Sequence, residues 1–305
     1  MQNRVEYFFF LLLTSFLRLF PFRVVQRFGS AFGTFVYSVL RLRRSLVLDN
    51  LRHAYPEKSE QERIAIGRAS TQNLFMAYFE IAVMDTLSRE ELMSMIRFPG
   101  ASAVDAVLEE GKGTIFLSGH YGNWELLALT VPLFSRQQHR HTLIVQKQRN
   151  PYINEFMTRM RARFGTNVVV MERALRESLR ALSDGKGIAL IADQSGPESG
   201  IYTDFFGRPV STHQGPAVFQ VRSGAPIVLI LLVREGWGKF RIEMERVDLT
   251  GITGTEEEKM KEVTQRHVTA LERHIRQHPD HWLWMHKRWK HTASYLAKQS
   301  AKGAA

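Results

Sequence analysis

The 305-residue chain carries 41 lysines and arginines against 30 acids, a formal charge of +11, with 44% apolar and 23% charged residues. That balance excludes a disordered chain and favours negatively charged partners: anionic lipid head groups, nucleic acid or an acidic carrier protein. With no cysteine, disulfides, thiolate catalysis and cysteine-ligated zinc are excluded as well.

Residues 1–45 combine apolar and basic character. The run Tyr7 to Leu17 is well short of the roughly 20 residues a spanning helix needs. Glu6 stands just before it, and no small-residue cleavage site follows. It reads as a membrane-associating helical segment, in or on the bilayer, and not as a removed signal peptide. Arg23, Arg27, Arg41, Arg43 and Arg44 suit an anionic cytoplasmic surface. A helix packed on the domain is the alternative. Nucleic-acid arms are seldom so greasy, so no nucleic-acid partner is expected. Residues 22–45 predict a second helix through Phe32, Phe35, Val36 and Val39, weakened by Gly29 and Gly33. Residues 59–87 predict a longer amphipathic helix, opened by Ser59 and Glu62 at capping-box spacing.

Beyond this point short apolar runs alternate with helical patterns. The runs are 114–118, 142–145, 167–171, 187–192 and 226–233; the helical stretches include 124–134, 154–164 and 174–184. This alternation predicts an α/β domain over 46–298, a mixed, largely parallel sheet covered by helices, followed by a disordered tail at 299–305.

The segment Ser118 to Glu125 lies where a buried strand ends and a helix begins, the place where α/β folds present ligand-binding groups. Gly119 and Gly122 permit a tight turn, and the first helical amides near Asn123 and Trp124 can face a developing oxyanion. His120 can take a proton from a hydroxyl, while Glu125 can hold the other ring nitrogen. Spacing alone is weak evidence, because among 11 histidines about one should have an acid five residues on by chance. His267 and Glu272 are such a pair. They fall within a predicted helix over 256–278, where residues five apart are ~140° apart and do not meet.

The segment Gly119 to Glu125 resembles the HxxxxD/E motif of the lysophospholipid-acyltransferase superfamily, in the form found in late acyltransferases of lipid A biosynthesis. Arg149-Asn150-Pro151 followed by Arg159, Arg161 and Arg163 resembles that family's second block, whose required arginine matches Arg161 best, with Arg159 close behind. Ala192-Asp193-Gln194 resembles its strand-end aspartate segment. Phe205-Phe206-Gly207-Arg208, with Thr212 and Gly215, resembles its FFG segment, and Trp282 to Lys290 its C-terminal signature.

The resemblance implies transfer of a fatty acyl chain from an acyl-carrier-protein thioester to a hydroxyl of a lipid A precursor. It implies His120 and Glu125 as the catalytic pair, at the cytoplasmic face of the inner membrane, and no cofactor. Asn123, Arg159, Arg161, Asp193, Gly207 and Arg208 are the expected substrate-binding residues. The arginines suit phosphates at an exposed helix face. Asp193, ending an apolar strand, needs a partner, and the FFG segment either lines an acyl channel or packs in the core. The histidines at 278, 281, 286 and 291 raise zinc, but their spacing and the lack of a completing carboxylate argue against it; the interleaved tryptophans suggest a surface meeting the membrane. Another lipid acceptor, such as a lysophospholipid, a phosphoinositol mannoside or an aminolipid, or a non-catalytic lipid-binding protein, remain the alternatives.

Overall fold

The computed structural model describes residues 1–98, 100, 102–136 and 140–303, and its N-terminal third is helical. Helix α1 (Gln2–Leu17) leads through Pro21, whose fixed φ suits a helix start, into α2 (Phe22–Phe35). A π-helical turn at Val36–Leu40 and two left-handed arginines, Arg41 and Arg43, redirect the chain into α3 (Arg44–Ala54). Helix α4 (Glu60–Ile81) starts with the expected capping box, Ser59 accepting from the Glu62 amide while the Glu62 carboxylate accepts from Ser59. A second capping box, Ser88 with Glu91, opens α5 (Arg89–Met95).

Helix α2 lies along α4, and Gly29 and Gly33 make that possible. A Cβ on either would come within 2.7 Å of the Cα of Met76 or Gln72. Tyr37 is buried in the main core, in contact distance of a Cβ placed on Gly67. The boundary expected at residue 45 is thus not a structural break: 1–45 packs on the rest of the chain. Among the described residues no helix is long and apolar enough to cross a membrane.

The sheet begins with β1 (Ile96–Arg97), followed by α6 (Ser102–Glu109), β2 (Thr114–Ser118) and α7 (Trp124–Thr130). Next come β3 (His141–Val145), α8 (Pro151–Ala162), β4 (Asn167–Val170), α9 (Ala174–Ser183) and β5 (Gly187–Ile191). After a hairpin of β6 (Ile201–Phe205) and β7 (Arg208–Thr212), the chain forms α10 (Gly215–Ser223), β8 (Ile227–Gly236), β9 (Lys239–Arg246) and α11 (Glu256–Gln277). The seven strands run β1-β9-β8-β2-β5-β3-β4, parallel at every pairing but the antiparallel one between β8 and β9. The mixed, largely parallel sheet under helices is as expected. Alternate residues serve opposite faces: Ile115 and Leu117 join the cluster beneath α11, Phe116 the one beneath α7 and α8.

The final helix, α12 (Thr292–Gly303), replaces most of the expected disordered tail; residues 304–305 lie outside the described residues. The β6–β7 hairpin was not foreseen. Its turn places Phe206 and Gly207 both at positive φ, 54° and 72°, the two-residue geometry that matches strand twist.

Candidate active site

The turn after β2 is held from two sides. Gly122 has φ 56°, and a Cβ there would lie 2.1 Å from the Leu232 carbonyl oxygen, so only glycine fits. Its amide donates to the His281 carbonyl at 2.8 Å, Leu283 donates to the His120 carbonyl at 3.1 Å, and Tyr121 bridges to Trp282. The segment 281–284 therefore straps the turn in place. Trp282 and Trp284 are fully buried, which corrects the expectation that these tryptophans meet a membrane.

The parallel register Ser118 to Ile191 brings the ends of β2 and β5 side by side, so Asp193, two residues past β5, lies beside His120. Its carboxylate accepts from His120 Nδ1 at 2.7 Å, from the His120 amide at 2.7 Å and from Trp282 Nε1 at 2.8 Å. An acceptor-only carboxylate at Nδ1 fixes the proton there and leaves Nε2 as the basic atom. That atom lies 3.3 Å from the Gln194 side-chain amide, and the ring meets the Trp124 ring edge-on at 4.9 Å. Burial disfavours the imidazolium, but the charge and hydrogen bond of Asp193 outweigh it, and the His120 pKa is raised. Burial likewise opposes the Asp193 carboxylate, and His120 overcomes it in holding that pKa low.

Glu125 does not touch the imidazole ring nitrogen as expected. It makes a bidentate pair with Arg161, Nε to Oε2 at 2.8 Å and NH2 to Oε1 at 2.6 Å, with both side chains buried. The reason is helical geometry: Glu125 sits in the first turn of α7 and faces α8, away from the Nδ1 side that Asp193 fills. The expectation of Arg161 on an exposed phosphate-binding face is overturned too, because its planar fork is occupied by Glu125. Arg159, two residues earlier, is the exposed one, and its recorded partner is Glu155 at 3.6 Å on the same helix.

Asn123, expected to bind substrate, is buried, and its side chain bonds within the protein. Its Oδ1 caps α7 by accepting from the Leu126 amide at 2.9 Å, and its Nδ2 donates to Glu80 at 2.7 Å. Glu80 was missed from sequence. It is wholly buried in α4, accepts also from Gln26 of α2 at 2.6 Å, and pairs with Arg234 of β8 at 2.5 and 3.0 Å. Its only advance signal was an acid within the apolar stretch of a predicted helix. In the second block, Asn150 caps α8 and donates to the Asn3 carbonyl and Glu6 of α1, which gives that asparagine a structural task.

Gly207 and Arg208, expected to bind substrate, lie at the exposed β6–β7 turn, whereas Phe205 and Phe206 pack against Trp282, Trp284 and Tyr55 in the core. Of the late histidines, His281 Nε2 accepts from the Arg234 amide and His286 Nε2 from the Ser195 amide. No metal-binding cluster occurs among the described residues. His267 is buried in α11, its pKa lowered to about 3 by burial and the nearby Arg288, while Glu272 is bonded to the Phe206 amide and Arg276.

An apolar cleft between α7 and the sheet is walled by Trp124, whose ring also meets His120, by Leu127, Ala128 and Val131 of α7 and its extension, and by Phe116, Leu143, Ala189 and Ile191 of the sheet. An imidazole backed by a carboxylate, one ring contact from an apolar cleft, is an arrangement that can deprotonate a hydroxyl next to a hydrocarbon chain. Residues 2–291 match the family described as bacterial lipid A biosynthesis acyltransferase. The chain belongs to that family.

Similar proteins agree with this placement. A lipid A biosynthesis acyltransferase of Haemophilus influenzae is 23% identical over 278 residues, 91% of this chain and 84% of that one. A lipid A biosynthesis lauroyltransferase of Escherichia coli is 23% identical over 277 residues, 88% of this chain and 86% of its own. A phosphatidylinositol mannoside acyltransferase of Mycobacterium tuberculosis is also 23% identical, over 230 residues, 72% and 69% of the two chains.

Proposed function

We propose that this member of the lipid A biosynthesis acyltransferase family moves a fatty acyl chain from an acyl-carrier-protein thioester to a hydroxyl of a lipid A precursor. The observation that carries the reading is the Asp193–His120 pair, whose imidazole meets Trp124, a wall of the apolar cleft. His120 Nε2 takes the acceptor hydroxyl proton as the oxygen attacks the thioester carbonyl. The tetrahedral intermediate then collapses, and the departing thiolate recovers the proton from the imidazolium. Asp193 stabilises that imidazolium, and the first-turn amides of α7 face the oxyanion. Glu125 acts through Arg161, locking α7 to α8 so that the turn keeps its place. No step requires a cofactor.

The reaction belongs at a membrane surface on the cytoplasmic face of the inner membrane. Phe8, Phe9, Leu12, Phe16, Leu19, Phe28, Phe32 and Phe35 of the first two helices and the turn between them are exposed, an apolar surface of the kind that lies in a lipid interface. Exposed Arg149, Arg159 and Arg173 offer positive charge to an acidic carrier. The relation to the mannoside acyltransferase supports a second reading, in which the acceptor is another lipid with the same chemistry.

Incubating the purified full-length chain with acyl-carrier thioesters and either a tetraacylated lipid A precursor or a phosphoinositol mannoside, with product mass read by spectrometry, decides between them. Acylation of the first acceptor alone is expected. Transfer only to the second would replace the acceptor, and no transfer to either would reject the enzymatic reading.

A further inference from the structure

Both ring nitrogens of His120 face one short segment, residues 193–195. Nδ1 donates to the Asp193 carboxylate, and the side-chain amide of Gln194 lies 3.3 Å from Nε2. With the ring proton held on Nδ1, Nε2 is an acceptor, so the glutamine turns its N–H toward it. Among the described residues that is the one hydrogen bond its side chain makes. A glutamine side chain with no structural bond elsewhere, set against the basic atom of the site, is placed for the reaction.

The backbone that carries it is held by the C-terminal strap and by β7. Arg288, 2% exposed, donates from Nη1 to the Gln194 carbonyl at 3.1 Å and to the Ser211 carbonyl at 2.6 Å, and from Nη2 to Thr212 Oγ1 at 2.9 Å. The Ser195 amide donates to His286 Nε2 at 3.0 Å, and the Gly196 amide to the Ser211 carbonyl at 3.0 Å. With Asp193 bonded as well, what this segment has left to move is the half-buried Gln194 side chain. The reacting side of the ring is open: 23% of the His120 side chain is exposed, against 2% for Asp193.

We infer that Gln194 is a catalytic residue that receives the oxygen of the acceptor hydroxyl, donating to it while His120 Nε2 takes its proton. The inference rests on the acyl-transfer reading above. Two nitrogens 3.3 Å apart share positions within hydrogen-bond reach, about 2.8 Å, of both. An oxygen there has its hydrogen for Nε2, one lone pair for the glutamine and the other for the thioester carbonyl. A swing of about 1 Å by the glutamine opens the angle at that oxygen toward tetrahedral. As the O–H bond breaks and the C–O bond forms, the proton passes to Nε2, the glutamine keeps its own hydrogens, and the thiolate leaves with the proton returned by the imidazolium. The oxygen is most negative part-way, when its proton has moved and its new bond is incomplete. The N–H···O contact is therefore strongest in the transition state and weakens in the ester.

The test is a double-mutant cycle between residue and substrate group. The lipid A precursor or the mannoside, whichever supports transfer, and its deoxy analogue lacking the reacting hydroxyl are titrated without donor into the purified full-length chain. The same titrations are made with Gln194→Met, which keeps the side-chain length and removes the donor, and with Gln194→Leu should the first not fold. The factor by which the acceptor outbinds its deoxy analogue should fall about fivefold in the variant. With an acyl-carrier thioester, kcat should fall further, by roughly 10- to 100-fold, because the bond is made to a developing charge. A folded variant that discriminates acceptor from deoxy analogue as well as the wild type overturns the contact, whatever its turnover, and leaves acyl transfer intact. A wild-type enzyme that transfers to neither acceptor overturns the acyl-transfer reading itself.

Discussion

Two buried carboxylates flank the same turn, and they do different work. Asp193 lies on a strand end, bonded to the imidazole and to a tryptophan indole; Glu125 lies on a helix, bonded through both oxygens to a guanidinium. In the proposed reaction the first couples to a group that changes charge, so its removal should be felt in proton transfer. The second is neutralised by an arginine that stays charged, so its removal is felt first in packing. Proximity to His120 does not assign a role; the atom each oxygen faces does.

The largest effect that would test this contrast is expected at His120 itself. His120→Ala should lower turnover by roughly 10² to 10⁴-fold, the range for loss of a general base, with little change in thermal stability. A folded and active variant would remove the imidazole from the mechanism.

Asp193→Asn should come next, at about 10²-fold or more, and it carries a pH signature. Asp193 raises the His120 pKa, so neutral base accumulates only as pH rises through that raised value. Losing the charge should move the acid limb of kcat/KM to lower pH. Stability follows the opposite partner: Asp193 is depressed in the folded state, so its contribution is full above the ordinary carboxylate range and disappears as pH falls through the folded value. An unmoved acid limb in Asp193→Asn would break the distinction between the carboxylates.

Glu125→Gln should mainly destabilise, by about 3–5 kcal/mol, because it strands Arg161 in the interior. The apolar double substitution Glu125→Leu with Arg161→Met should recover much of that loss in denaturant melts. If the double variant regains full stability yet stays inactive, Glu125 has a chemical part in addition to its structural one.

Glu80→Gln should reduce kcat by about tenfold through displacement of Asn123 and the turn, with the pH profile unmoved because the His120–Asp193 contact is intact. A shifted profile would mean that Glu80 acts on the proton itself. The smallest effect is expected at His267→Leu, which replaces a neutral buried ring with an apolar side chain. Activity within a few-fold of wild type would keep this second histidine–acid pair outside the chemistry.

Much of the frame was readable from sequence because it obeys local rules. The apolar runs became β2, β3, β4, β5 and β8 within a few residues, and Ser59 with Glu62 marked the start of α4. His120 was readable because a histidine between glycines at a strand end has few structural reasons to be there. Its partner was not, since Asp193 reaches it only through the register of β2 on β5, a relation between residues 73 apart. The hydrogen-bond partner of Glu125 was hidden for the same reason: Arg161 lies on the next helix. The β6–β7 hairpin was hidden because Phe206 occupies a left-handed position usually given to glycine or asparagine. Gly29 and Gly33 looked like weak points in a helix, when their lack of side chains is what lets α2 press against α4.

That glycine seam has a mechanical consequence. With the α2 backbone touching α4, and Gln26 bonded to the same Glu80 that grips Asn123, the helix cannot roll or slide without disturbing the turn that carries His120. The phenylalanines on its outer side are therefore fixed in height relative to the reacting nitrogen. A protein resting on those rings would hold its imidazole at one set altitude above the lipid, and only hydroxyls that surface at that altitude would come within reach.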